Sequence, residues 1–136
     1  MFMKNNISFL HSSVGESGED YLEAIFLLSA EKHPVRVKDI AHFLRVSRPS
    51  VVNALTQLAG KKLVRHEPYG AIELTAAGES YAKAIYRRHF ILEQFLCRGL
   101  GVRPEVAAQE ACRLEHALSP ETTQRLVKFV RRLKGK

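Results

Sequence analysis

Residues 37–66 read VKDIAHFLRVSRPSVVNALTQLAGKKLVRH. Val37, Ile40, Ala41 and Leu44 recur at helical spacing and predict a helix of about two turns. Val46 and Ser47 then make a turn. Ser47 is a ready N-cap for a second helix that tolerates Pro49 in its first turn. Val51, Ala54, Leu55 and Leu58 form the inward face of that helix, leaving Arg48, Ser50, Val52, Asn53, Thr56 and Gln57 outward. Two short helices around a tight turn, the second opening on small polar residues, is helix-turn-helix grammar. The predicted DNA-reading set is Arg48, Pro49, Ser50, Asn53 and Gln57, because Arg, Ser, Asn and Gln can reach base edges or phosphates in a major groove.

The residues that follow strengthen this reading. Leu63–His66 and Ala71–Leu74 alternate like short strands, and Glu67-Pro68-Tyr69-Gly70 between them carries turn chemistry. A hairpin straight after a recognition helix is the wing of a winged helix. It places Lys61, Lys62, Arg65 and Tyr69 where phosphate contacts fix register.

Upstream, Leu22, Ile25 and Phe26 predict a first helix that begins near Ser17 or Gly18 and stops before Pro34. Downstream, Thr75 opens a long helix whose apolar positions run from Ala82 through Leu96 and which ends near Gly99 or Gly101. Pro104 opens a further helix through Ala107–Leu118. Ser119-Pro120-Glu121 caps a last one, with Leu126, Val127, Phe129 and Val130 expected inside. The apolar surplus of the last three helices points to a homodimer interface. The expected fold is mainly α. A loose tail covers residues 1–17, a winged helix-turn-helix with a small β-hairpin wing covers 18–75, and a helical metal-binding and dimerisation domain covers 76–136.

At 136 residues the chain suffices for one compact domain or two small units. The net charge of +7 favours a polyanionic partner, most simply double-stranded DNA. No apolar run is long enough to span a bilayer, and the N-terminus lacks a cleavable leader pattern, so a cytoplasmic protein is expected. Two cysteines, Cys97 and Cys112, are too few for a disulfide framework.

The densest chemistry lies in AAQEACRLEHAL, residues 107–118. On one helix, Glu115 and His116 follow Cys112 by three and four positions, so a thiolate, a carboxylate and an imidazole share a face. Asp20 and Glu23 (i, i+3) and His89 and Glu93 (i, i+4) offer further donors from two other helices. Each piece also has a plain alternative: a solvated charged face, a cysteine that merely packs, or acids that complement a helix dipole.

Taken together, EDYLEAI, VSRPSVVNAL, YRRHFILEQFL and EACRLEHALS resemble the diphtheria-toxin-repressor family of iron- and manganese-dependent transcription repressors, over roughly residues 18–130. The resemblance implies a cytoplasmic homodimer in which metal binding orders the DNA-binding half for operator recognition. It also implies that Asp20, Glu23, His89, Cys112, Glu115 and His116 stand at metal-ligand positions. The chain is a hybrid within that family. Asp20 and Glu23 look like the manganese branch, whereas Cys112 looks like the iron branch. His89 and Glu93 match two side chains of the iron branch's ancillary site, and Ala108 stands where that branch has a histidine. The resemblance is to the short manganese-type members, which are expected to lack the SH3-like domain of longer ones.

Mn²⁺ or Fe²⁺ is therefore the expected corepressor, with Zn²⁺ or Co²⁺ able to bind in vitro. A metal-independent winged-helix regulator sensing a small organic ligand is the alternative. No HExxH, nucleophile motif or phosphate-binding glycine loop points to an enzyme.

Overall fold

The computed structural model describes residues 6–31, 33–67 and 70–134, with side-chain environments from residue 14 onward. Helix α1 spans Asn6–Glu31, α2 Val37–Leu44, α3 Arg48–Gly60, α4 Ala76–Gln94, α5 Pro104–Leu114 and α6 Pro120–Lys134. Strands β1 (Val64–His66) and β2 (Ile72–Leu74) form one antiparallel ladder, with Val64 opposite Leu74 and His66 opposite Ile72. The architecture is mainly α, with a winged helix-turn-helix followed by a helical C-terminal half. No described helix is long and apolar enough to cross a membrane. The chain divides into two compact units, one over Val14–Ala84 and one over the residues from Ile85 together with helical residues 6–13.

In the first unit, Leu22, Ile25, Val35, Ile40, Val51, Leu55 and Ile72 are fully buried and form the core. They come from the apolar periodicities of α1, α2 and α3 and from the wing. Helix α2 stops because Arg45 adopts the left-handed conformation (φ 58°, ψ 48°), which lets the Val46 N–H return to the Ala41 carbonyl at 3.0 Å. Two residues on, Ser47 Oγ accepts the Ser50 N–H at 3.2 Å and starts α3, as its N-cap chemistry predicts. The wing carries one link that strand patterning does not foretell. The Ile72 N–H donates to the Val35 carbonyl at 2.9 Å, tying the hairpin to the loop before α2.

The entry into α4 is equally specific. Thr75 Oγ1 donates to the Lys62 carbonyl at 2.7 Å and accepts the Gly78 N–H at 3.0 Å, capping the helix. Gly78 is required by close approach, since a Cβ there would overlap the Leu63 carbonyl oxygen.

Three expectations need correction. Residues 1–17 do not all form a loose tail, because the described backbone is helical from Asn6. The spacing of Ile7, Leu10 and Val14 is itself helical, and the break falls at Gly15, whose φ of 78° no continuous helix accommodates. Helix α5 ends at Leu114 rather than Leu118, and residues 115–117 form a turn. Among the described side chains of α6 only Val130 is buried, while Phe129 is 41 % exposed and packs edge-to-face on Phe95 at 5.7 Å.

In the second unit, Ile85, Ile91, Leu92, Leu96, Ala107, Ala111 and Val130 are buried. Helix α4 runs directly into a π-helical turn over Phe95–Gly99, a widening that residue periodicity does not announce. Gly101, at φ 73°, closes it, with the Val102 N–H bonded to the Leu96 carbonyl at 2.9 Å. Tyr86, Phe90, Leu100 and Leu114 remain exposed along with Phe129.

Candidate metal centre and nucleic-acid interface

Helix α4 presents His89 and Glu93 on one face, and the end of α5 presents Cys112 and Glu115. Ligand atoms of His89, Cys112 and Glu115 all lie within 4.8 Å of one another. His89 Nδ1 is 2.7 Å from Glu115 Oε1, and Nε2 is 2.6 Å from Glu93 Oε1. Cys112 Sγ lies 3.8 Å from His89 Nδ1. Although α5 stops at Leu114, Glu115 keeps helical angles and its N–H bonds the Ala111 carbonyl at 2.9 Å, so its i+3 relation to Cys112 survives. His116 lies in the turn beyond, buried, with Nε2 3.9 Å from Glu115 Oε2. It stands outside the tight cluster.

The electrostatics are unusual for a surface helix pair. Glu115 is 0 % exposed, and its Oε2 accepts no hydrogen bond among the described residues. A buried carboxylate oxygen without a donor is costly unless a cation compensates it. Part of the compensation is the His89 ring, whose pKa is raised to about 9. The Glu115 hydrogen bond is the largest cause and Glu93 adds to it, against a desolvation that lowers the value. With its pKa raised to about 9, the ring is protonated at neutral pH and both nitrogens donate to carboxylates.

The donor set fits a divalent ion. It combines imidazole, thiolate and carboxylate, and it leaves one carboxylate oxygen open. Cys112 is exposed in the single chain, with its Sγ 3.8 Å from His89 Nδ1. Glu93, a lesser candidate by sequence, sits directly on His89 Nε2, where it fixes the ring.

Asp20 and Glu23 belong to the Val14–Ala84 unit and are half-buried on α1. They lie beyond the first turn after the Gly15 break, where a macrodipole role fades. Beside them stands a residue that belongs to none of the predicted sites. Glu19 is fully buried and accepts a hydrogen bond from the Tyr81 hydroxyl at 2.5 Å, joining α1 to α4 within that unit. Its only sequence signal is an acid at a core-facing position.

The predicted nucleic-acid face is open. Arg48, Pro49, Ser50, Asn53, Gln57, Lys61 and Lys62 are all exposed. Ser50 Oγ is engaged with Ser47 Oγ at 2.8 Å and Thr56 Oγ1 donates to the Val52 carbonyl at 2.9 Å, so these hydroxyls already serve the helix. Arg65 shares its charge with cross-strand Glu73 at 3.8 Å. Tyr69 lies outside the described residues. A groove of about 550 Å³ between α2, α3 and the wing is lined by Arg36, Lys38, Arg48, Val52 and His66 among others. Arg36 and Lys38 were not among the predicted contacts; their signal is a pair of cations around the start of α2.

These features match known proteins over nearly the whole chain. Residues 13–72 match the N-terminal DNA binding domain of the iron dependent repressors, and residues 75–135 match their metal binding and dimerisation domain. The chain belongs to the iron-dependent, or diphtheria-toxin, repressor family. An HTH-type transcriptional regulator of Methanocaldococcus jannaschii is 38 % identical over 124 residues, covering 90 % of this chain and 99 % of its own. The HTH-type transcriptional regulator MntR of Lysinibacillus sphaericus is 38 % identical over 114 residues, covering 84 % of this chain and 81 % of its own. A manganese-dependent transcriptional repressor solved in complex with manganese superposes with a TM-score of 0.75 at 34 % identity, covering 83 % of this chain. This repressor chain spans only 52 % of that structure's length. The relatives are transcriptional regulators, in keeping with a chain that carries no enzyme motif.

Proposed function

We propose that this chain is a cytoplasmic homodimeric repressor whose binding to double-stranded operator DNA requires Mn²⁺ or Fe²⁺ as corepressor. The observation that carries the reading is the fully buried Glu115 carboxylate, one oxygen without a hydrogen-bond donor, placed against His89 and Cys112. A regulator of a small organic ligand has no need of such a carboxylate.

The proposal assigns Asp20, Glu23, His89, Cys112, Glu115 and His116 as ligands, with Glu93 orienting the His89 ring. When bound, a divalent cation supplies positive charge that offsets the mutual repulsion of these carboxylates. To hold the ion His89 would have to release the proton it shares with Glu115, and the ion would supply the positive charge that Glu115 Oε2 lacks. Asp20 and Glu23 come from the DNA-binding unit, so their recruitment to the ion favours one arrangement of the two recognition helices over others. Arg48, Asn53 and Gln57 then read bases, while Lys61, Lys62, Arg65 and Tyr69 hold phosphates.

Selectivity follows from the donor mixture. The carboxylates are hard donors that suit Mn²⁺ and Fe²⁺, whereas the Cys112 thiolate pulls toward Fe²⁺, Co²⁺ or Zn²⁺. Two acids on α1 put Mn²⁺ slightly ahead as the cellular effector. The test is fluorescence anisotropy on a fragment of the gene's own promoter, with chelator-stripped protein and then added Mn²⁺ or Fe²⁺ under anaerobic conditions. Saturable binding is expected only with metal. Equal affinity in excess chelator would overturn the corepressor role.

A further inference from the structure

The recognition helix exposes one large aliphatic side chain among polar neighbours. Val52 is 43 % exposed in the middle of α3, on the same stripe as Arg48 and Thr56. A single exposed valine is ordinarily unremarked. Its setting is what separates Val52 from the others: it lines the groove shared with Arg36, Lys38, Arg48 and His66, with no carboxylate among the described lining residues. A cationic concavity with an apolar floor is complementary to a phosphate-walled duplex groove that presents a methyl group.

We infer that Val52 is a specificity-determining residue that recognises the C5-methyl of a thymine in the operator major groove. The inference rests on the proposed DNA-binding function and adds to it the base that this side chain selects. Among base edges, only thymine offers a methyl in the major groove, and an aliphatic side chain is its natural contact. The polar neighbours support the division of labour. The Thr56 hydroxyl is bonded to the Val52 carbonyl and the Ser50 hydroxyl to Ser47, so neither needs a base acceptor. Hydrogen-bond readout then falls to Arg48, Asn53 and Gln57, and the methyl contact to Val52. A cation at position 52 would add affinity for any sequence, whereas a valine there discriminates.

The test uses the full-length chain loaded with Mn²⁺ and a duplex enriched by it from a random pool. Each thymine is replaced in turn by deoxyuridine, which removes the methyl and leaves the pairing intact. One thymine per half-site is expected to weaken wild-type binding by about threefold to fivefold when replaced, the value of one buried methyl. In Val52→Ala the same replacement is expected to cost less than twofold. A wild-type protein indifferent to every replacement would overturn the inference, as would an undiminished penalty in Val52→Ala. Because the deoxyuridine scan needs no variant, poor folding of Val52→Ala cannot obscure the result. Failure to enrich any duplex would instead overturn the DNA-binding reading beneath it.

Discussion

At the recognition helix the proposed base-reading side chains face water, with Arg48, Asn53 and Gln57 all exposed, whereas at the end of α5 the Glu115 carboxylate is fully buried. The first surface rests on a backbone pinned by local devices: the left-handed Arg45, the Ser47 cap and the Thr75 bonds to Lys62 and Gly78. The second holds an unresolved charge beside an imidazolium. A preformed reading head needs rigidity, and a site that answers to a cation needs a charge that only a cation satisfies. Changes at the pinned unit should therefore alter stability, and changes at the charged corner should alter the response to metal and to pH.

The largest effect is expected at Gly78. Gly78→Ala forces a Cβ onto the Leu63 carbonyl, and chemical denaturation should show a loss of about 3 kcal/mol. A loss near zero would mean that the start of α4 moves freely against the wing. At the other corner, Glu115→Gln preserves volume but removes the buried charge. Its apparent metal affinity should fall at least about tenfold, while the winged unit keeps its helical signal. Unchanged affinity would leave the corner with a structural role only.

The same corner carries a pH signature. The folded His89 pKa, raised to about 9, lies above the ordinary value of 6.5. The folded state therefore binds the proton more tightly than the unfolded state does. In chelator-stripped protein its stabilisation is complete below about pH 6.5 and is lost as pH rises toward 9. Metal binding has the opposite slope over that window, because the ring must shed its proton to ligate. Thermal melts and metal titrations at matched pH values should diverge accordingly, and His89→Gln should flatten both. Parallel slopes would contradict the His89 assignment.

Smaller effects sharpen the contrast on the pinned side. Ser47→Ala removes the α3 cap and should cost about 1 kcal/mol in denaturation, with metal affinity unaltered. Arg65→Ala breaks only an exposed pair with Glu73 and should change stability by less than about 0.5 kcal/mol. It should reduce the salt dependence of DNA binding by about one phosphate contact. An unchanged salt slope would remove Arg65 from the interface.

The reading head was legible in the sequence because its determinants are local. Apolar spacing in residues 37–58 and the Ser47–Pro49 start need no distant partner, and the hairpin follows from alternation and turn residues. The approach of Cys112 and Glu115 and of His89 and Glu93 was legible in their i+3 and i+4 spacings, whereas the i+4 step from Cys112 to His116 failed because the helix gives way to a turn after Leu114. Burial was not legible. Nothing in EACRLEH distinguishes a solvated carboxylate from the enclosed one at Glu115. The helix from Asn6 was obscured by Gly15 and Gly18, which read as loop until one sees that only Gly15 leaves helical space. Phe129 was expected inside because amphipathic spacing records an apolar stripe but not what covers it. The α5 end at Leu114 has no glycine or proline to mark it, and the chain simply turns before Ser119 caps α6.

In the proposed function, metal binding at the corner built on Glu115 governs DNA binding. The most direct measurement is an anaerobic Mn²⁺ titration of chelator-stripped protein in the presence of labelled promoter DNA. Free Mn²⁺ is followed by its EPR signal and DNA binding by anisotropy in the same sample. Coincident midpoints are expected for the two signals in the wild type, both displaced to higher metal in Glu115→Gln. DNA binding that is complete before any Mn²⁺ is taken up, or Mn²⁺ uptake that leaves DNA affinity unchanged, would contradict it.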